Sequence, residues 1–309
     1  MGATRQEIRW LLQDKYGGKK PPEFFADLKR LERGEPVDYL IGFVPFLDCR
    51  IDLSLRPLIP RAETEYWTEK AIQDMLKDAR STALGNRPSK SQRDFGVCAL
   101  GDFPPSADHA KSPARASRRA VPPRSIRTTN YKLPHLNISR GGKIQVLDMF
   151  AGSGCVGIAV LTRVPSAHVD FAEKGKNELR QIRRNLKENN IAPGRFRVLS
   201  SNIFSAVKGK YDFILANPPY AGEEYPEKVE ESVRKWEPRR AVFAGKEGME
   251  VIRPFLEQAT CFLKPGGVLY MELDPSQKDA VARILKKRYP RHRFFKDQFK
   301  RWRFCRFSG

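Results

Sequence analysis

The chain has 309 residues, 40% of them hydrophobic, with 57 Lys and Arg against 36 Asp and Glu for a net charge of +21. That is enough apolar material for one large domain with an appendage, or for two domains, and no apolar run approaches the ~20 residues needed to cross a bilayer. Five scattered cysteines (Cys49, Cys98, Cys155, Cys261, Cys305) form no CxxC pair, and four dispersed histidines (His109, His135, His168, His292) form no cluster. A disulfide framework and a metal site are therefore not expected, and a reducing compartment fits.

Residues 7–16, EIRWLLQDKY, and 23–34, EFFADLKRLERG, carry short amphipathic helical patterns. The start of the chain shows no signal-peptide core and includes Glu7 and Asp14, so the expected compartment is the cytoplasm, with mitochondria as the alternative. Residues 38–59, DYLIGFVPFLDCRIDLSLRPLI, are rich in β-formers and alternate, which predicts a hairpin or short sheet. A helical pattern follows over 63–77. From Arg80 to Gly142 the composition shifts to Ser, Pro, Ala and Arg without periodicity, with twelve Lys and Arg against three Asp. Such a segment buries too little apolar surface to offset its ordering entropy and is expected to be disordered. The high positive charge points to nucleic acid, or to a protein working beside it such as a ribosomal factor. A basic surface with a solvated insertion is the plain alternative.

From Lys143 strands and helices alternate, with strands expected at 144–148, 167–172, 196–200, 211–216 and 267–273 and helical runs such as LRQIRRNLKEN and EVIRPFLEQATCFL between them. Alternation of this kind implies a parallel sheet with helices on both faces, and a ligand at the carboxyl ends of the strands where the chain order reverses. A basic final strand is read in KRWRFCRF.

Two constellations carry chemistry. The first strand runs into Gly152, Gly154 and Gly157, a GxGxxG spacing between strand and helix, and Glu173 ends the second strand about twenty residues on. Glycines there allow close backbone approach, and the acid suits the hydroxyls of a ribose. This much fits a dinucleotide or S-adenosylmethionine. Asp148, just ahead of the glycines, suits the cationic methionine end of the latter through water or backbone amides. The second constellation is Asn217-Pro218-Pro219-Tyr220 at the end of the fourth strand, where two prolines stop the strand abruptly. The Asn217 side-chain carbonyl and the Pro218 backbone carbonyl can each accept one N–H of a planar amine while the aromatic ring packs its plane. A chance NPPY in a chain this long is on the order of one in a thousand. Cys155 reads as a packed helix-start residue.

NPPY with a glycine-rich turn resembles methyltransferases acting on adenine N6, guanine N2 or the glutamine amide. Three further stretches resemble the HemK/PrmC family of protein-(glutamine-N5) methyltransferases: GEPVDYLIGFVPFLDCRIDLSLRPLIPRAETE, VRKWEPRRAVFAGKEGMEVIRPF and GGVLYMELDPSQKDAV. The resemblance covers roughly residues 35–78 and 143–309. It implies a Rossmann-like class I S-adenosylmethionine-dependent methyltransferase fold, α/β, with a small N-terminal helical region (1–37, for release factor recognition), a β-hairpin linker (38–65) and a methyltransferase domain (66–309) interrupted by the basic insertion (80–142). The implied substrate is the Gly-Gly-Gln glutamine of a class I peptide chain release factor, close to ribosome or RNA, with neither membrane nor metal involved. Residue by residue, Asn217, Pro218, Pro219 and Tyr220 would hold the glutamine amide, with Asn217, Pro218 and Tyr220 catalytic and Asn217 also against the cofactor. Phe150, Ala151, Gly152, Ser153 and Gly154 would line the methionine end together with Asp148. Glu173 would take the ribose, and Asn202 and Ile203 the adenine. Arg61 and Glu63 of IPRAETE would support the site. Phe150 stands where the family has its first glycine, and Asn202 where it has an acid. The alternatives are a nucleic-acid amine methyltransferase sharing NPPY, and a binding protein that occupies the release factor without methylating it.

Overall fold

A computed structural model describes residues 2–83, 142–224, 226–289 and 291–308. The body of the expected insertion, 84–141, lies outside these described residues.

The N-terminal region is built from α1 (Arg5–Trp10), which continues as a π-helical turn over Leu11–Lys15, then α2 (Pro22–Glu32) and α3 (Val37–Ile41). Thr4 and Glu7 close a reciprocal capping box at the start of α1, satisfying donors that a helix N-terminus leaves unpaired. The three helices pack Trp10, Leu11, Phe24, Leu31, Val37, Leu40 and Ile41 into a cluster of their own. Only part of 38–59 is therefore β-structure. Tyr39, Leu40 and Ile41 are all buried, Pro36 precedes the helix, and Gly42 ends it at φ 91°, a left-handed conformation that glycine adopts without steric cost. The hairpin that follows is β1 (Phe43–Phe46) and β2 (Cys49–Asp52). Helix α4 (Ala62–Ala83) extends beyond the predicted end at 77 and buries Trp67, Ala71, Ile72 and Met75 along one face.

The main sheet contains β3 (Ile144–Met149), β4 (Ala167–Glu173), β5 (Phe196–Ser200), β6 (Tyr211–Ala216), β7 (Leu263–Glu272), β8 (His292–Lys296) and β9 (Trp302–Ser308), in the order β5-β4-β3-β6-β7-β9-β8. The chain starts at the centre, moves outward through β4 to β5, and returns to place β6 beside β3. Strands β3 to β7 pair in parallel, whereas β9 is antiparallel to both its neighbours. The five strands expected to alternate with helices are thus the parallel ones, and β9, read from the sequence only as a final strand, reverses for a simple reason. Only a short turn joins β8 to β9, tied by the Asp297 carboxylate to the backbone N–H groups of Phe299 (2.9 Å) and Arg301 (3.0 Å), and so tight a link permits only antiparallel pairing.

Helices α5 (Cys155–Arg163), α6 (Lys176–Glu188) and α4 cover one face of the sheet. The other face carries α9 (Ile252–Gln258) and α10 (Lys278–Arg288), and the short α7 (Glu231–Trp236) and α8 (Arg239–Val242) lie in the long β6–β7 connection. The linker docks through an amide ladder on α6. Gln181 and Asn185 accept from the backbone N–H groups of Leu55 (2.9 Å) and Asp52 (2.8 Å), and Asn189, just past the helix, accepts from Arg50 N–H (3.0 Å). Residues four apart share a helix face, so three amides line up against the strand. No described helix is long and apolar enough to cross a membrane, and no described group of His, Cys, Asp and Glu could hold a metal ion.

Gly157 is where α5 presses on the sheet. A Cβ there would stand 2.8 Å from Cζ of Phe171 and 2.9 Å from the Asp148 carboxylate, closer than packed atoms allow. The Gly157 N–H donates to Asp148 Oδ2 at 2.9 Å. Asp148 is fully buried, and burial pushes its carboxyl well above the ordinary range, against the pull of that N–H and aided by the nearby Glu173. Gly157→Ala is expected to lower the unfolding free energy by about 1–3 kcal/mol, the usual cost of overpacking, measurable by denaturant unfolding. Asp148→Asn tests the buried acid. A carboxyl whose pKa is raised by folding favours the folded state while protonated, below about pH 4, and that contribution is lost as pH rises through the folded value. Wild type should therefore lose stability relative to Asp148→Asn as pH rises above about 4, and parallel pH profiles would show that the carboxyl is not desolvated.

Candidate active site

The carboxyl ends of β3, β4, β5 and β6 bring most of the predicted residues to one edge of the sheet. After β3 the chain turns through Phe150, Ala151, Gly152, Ser153 and Gly154, with φ of 60°, 55° and 80° at residues 150, 152 and 154. Gly152 and Gly154 hold this left-handed backbone freely, whereas a side chain there costs about 1–2 kcal/mol. Phe150 therefore holds a backbone conformation that favours glycine. Its ring is anchored edge-on against Phe255, with centroids 5.3 Å apart. Gly152 faces open space, since a Cβ there would meet only the Phe150 carbonyl at 3.8 Å.

Glu173 ties β4 to this turn. Its Oε2 accepts from Gly152 N–H at 2.9 Å and its Oε1 from Gly175 N–H at 2.7 Å. Burial raises its carboxyl above the ordinary range while those N–H groups draw it down. Each oxygen accepts one backbone bond and keeps a second lone pair, so the acid can both brace the turn and receive hydroxyl donors. Asn202 lies beyond β5, exposed, its backbone N–H held by Ser205 Oγ at 2.9 Å. Ile203 is half-buried at φ 50° against the cluster that holds Phe204 and Phe150. Asp148 is buried near the end of β3, where it fastens α5 through the Gly157 N–H. Cys155 is buried, and burial pushes its thiol far up, which suits a packing residue.

Strand β6 delivers Asn217, Pro218, Pro219 and Tyr220 beside the glycine turn, since Met149 pairs with Ala216. Pro218 is buried and the other three are half-buried. The Asn217 side-chain NH₂ donates to Thr64 Oγ1 at 3.1 Å. Thr64 donates to Glu272 Oε2 at 2.7 Å, and Trp67 Nε1–H donates to the same oxygen at 2.8 Å. The Tyr220 carbonyl accepts from Gln277 Nε2 at 2.9 Å, and the same amide reaches the Gly248 carbonyl at 2.9 Å. Burial, then the Glu272 charge, push the Tyr220 hydroxyl far up, so it remains a neutral phenol.

The two residues from the IPRAETE stretch behave differently. Arg61 forms an ion pair with the buried Glu237, whose other oxygen accepts from Ile59 N–H at 3.0 Å; Glu237 is the acid of the WEP stretch. Arg61 also lies within electrostatic reach of Tyr220. Glu63 is buried and within reach of Glu272 and Arg303. Thr64, Trp67 and Glu272 were not among the residues that the sequence singled out. An acid closing the apolar run VLYMEL was the available signal, because a buried carboxylate needs donors.

Residues 128–233 match the methyltransferase small domain family. The chain is 34% identical to the release factor glutamine methyltransferase of Streptococcus pneumoniae, over 93% of this chain and 80% of that one. It is 28% identical to that of Chlorobaculum tepidum, over 86% and 72%. A bifunctional methyltransferase of Rickettsia felis is 27% identical over 83% of this chain, which spans only 42% of that protein's length. The solved ribosomal protein L11 methylase of Lactobacillus delbrueckii subsp. bulgaricus gives a TM-score of 0.39 at 17% identity, over 55% of this chain and 72% of that one. A central parallel sheet of class I methyltransferase order, a glycine turn braced by an acid, and a relative matched at 34% over most of both chains lead to one statement: the chain belongs to the release factor glutamine methyltransferase family, whose methyl donor is S-adenosylmethionine.

Proposed function

We propose that the protein methylates the side-chain amide nitrogen of the Gly-Gly-Gln glutamine in a class I peptide chain release factor. The observation that carries this reading is the placement of Asn217-Pro218-Pro219-Tyr220 beside the glycine turn, with the Asn217 amide held by Thr64. The cofactor's fit is supported by the open space above Gly152 and by the unused lone pairs of Glu173. S-adenosylmethionine, when bound, supplies an electrophilic methyl group.

The chain's own residues align the acceptor. The Asn217 side-chain carbonyl and the Pro218 carbonyl take the two N–H bonds of the glutamine amide, and the Tyr220 ring packs its plane. A carboxamide nitrogen is a poor nucleophile, because its lone pair is delocalised into the carbonyl. Two acceptors on its N–H groups favour the more tetrahedral nitrogen that the reaction requires, and alignment supplies much of the rate. A new N–C bond forms as the C–S bond breaks, and one amide proton then leaves to solvent, so no strong general base is needed. Arg61 and Glu237 hold the linker against this loop. The N-terminal helices, with their separate apolar cluster, are the surface we assign to the release factor, and the cytoplasm is where that substrate is met.

Incubation with labelled S-adenosylmethionine is the direct test. A wild-type class I release factor should take up label, and a factor with the Gly-Gly-Gln glutamine replaced by alanine should not. Labelling of total RNA instead would overturn the reading. Asn217→Ala should cut kcat on the order of 100-fold or more. Glu173→Ala should weaken S-adenosylmethionine binding about 10- to 100-fold in calorimetry, the value of hydrogen bonds to a charged group.

A further inference from the structure

Methyl transfer as proposed requires Asn217 to present an acceptor. A carboxamide offers either an oxygen or an NH₂, and rotation of the side-chain amide by 180° exchanges them without changing its shape. With the NH₂ toward the substrate, a donor would face a donor and the site would repel the amine it must hold. We infer that Thr64 and Glu272 are positioning residues that lock Asn217 in its acceptor orientation.

The lock follows from counting hydrogens. Trp67 Nε1–H can only donate, and it reaches Glu272 Oε2 at 2.8 Å. Burial raises this carboxyl, but the Thr64 and Trp67 donors and the Arg303 charge favour its ionised form, and as a carboxylate it only accepts. Thr64 Oγ1 lies 2.7 Å from the same oxygen. The single hydroxyl hydrogen of Thr64 is therefore committed to Glu272, and Thr64 has only lone pairs left to offer. Asn217 lies 3.1 Å from Thr64 Oγ1 and must turn its NH₂ toward it. The reversed amide would set two oxygens against each other with no hydrogen between them. The Asn217 carbonyl is thereby left for the substrate.

The arrangement joins segments 153 and 208 residues apart in sequence. Parallel pairing of Ala216 with Met271 places Asn217 and Glu272 at the next matched positions of β6 and β7. The first turn of α4 then inserts Thr64 between them. All three partners are shielded: Thr64 is 2% exposed, Trp67 0% and Glu272 1%, so water does not compete for the Thr64–Glu272 and Trp67–Glu272 bonds. Arg303 lies within electrostatic reach of Glu272 and is itself bonded to Asp297 at 3.1 Å, which gives the buried acid a positive neighbour. The linker helix thus does more than join the N-terminal region to the catalytic sheet, because its first turn sets the polarity of the site.

This inference rests on Asn217 as the holder of the acceptor amine, so its test includes a readout independent of substrate. Thr64→Val removes the hydroxyl at nearly constant volume, and Thr64→Ser retains it. The Asn217 side-chain NH₂ resonance, followed by NMR in protein labelled with ¹⁵N-asparagine and assigned by its loss in Asn217→Ala, should show a slowly exchanging proton in wild type and Thr64→Ser. That protection should vanish in Thr64→Val. In methyl transfer to a release factor, Thr64→Val should lower kcat roughly 10- to 100-fold with KM for S-adenosylmethionine unchanged, and Thr64→Ser should stay within about 3-fold of wild type. A Thr64→Val protein with wild-type kcat, or with its Asn217 resonance unaltered, would overturn the lock. Thermal unfolding of both variants identifies any loss that is merely structural, in which case the resonance at low temperature decides. If wild type labels no release factor, the substrate assignment fails, and the resonance alone judges the lock.

Discussion

Everything in the site depends on β3 and β6 lying side by side. Their pairing, from Val146 with Phe213 to Met149 with Ala216, is the point where the chain, having built outward to β5, returns and builds toward the other edge. The connection after β3 leaves to one face of the sheet and the connection after β6 to the other, and in open α/β sheets such a reversal is where a crevice forms. The glycine turn forms one wall and Asn217-Pro218-Pro219-Tyr220 the other. Neither wall has a useful geometry alone.

Holding these walls falls to residues that do no chemistry. Gly157 lets α5 settle onto Phe171, and its N–H is anchored by the buried Asp148. Glu173 fastens Gly152 from β4. Gln277, from the turn before α10, clamps the Tyr220 and Gly248 carbonyls together. Each contact pairs a polar group in a setting where an unpaired one would cost roughly 1–3 kcal/mol. Rigidity at the crevice is thus a by-product of satisfying buried polar groups. Phe150 fits this account: its ring gains contact with Phe255, which offsets part of the left-handed backbone's cost.

The linker is drawn into the same scheme. Gln181, Asn185 and Asn189 present their amides along α6 to β2, and Arg61 is pinned by Glu237. These bonds fix where α4 begins, and so where Thr64 stands. A segment that reads in sequence as a connector therefore reaches the centre of the site.

Much was legible in the residues themselves. Alternating apolar runs and helical patterns marked β3 to β6 closely, because strand and helix periodicities differ and each element buries its own face. The glycines, Glu173 and the two prolines were readable because each has a local backbone or spacing reason to be there. What periodicity could not show was direction and partnership. The reversal of β9 depends on the tight turn at Asp297, and the helix over 37–41 on burial of three residues that also suit a strand. Asp148 reads as a ligand-side acid, and only the packing of α5 shows that its carboxylate is buried and holds the Gly157 N–H. Thr64, Trp67 and Glu272 are ordinary residues in their own segments, up to 208 positions apart, and only the register of β6 with β7 and the docking of α4 brought them to Asn217. Local chemistry can be read from neighbouring residues; the orientation of one amide is decided by hydrogens that arrive from distant ones.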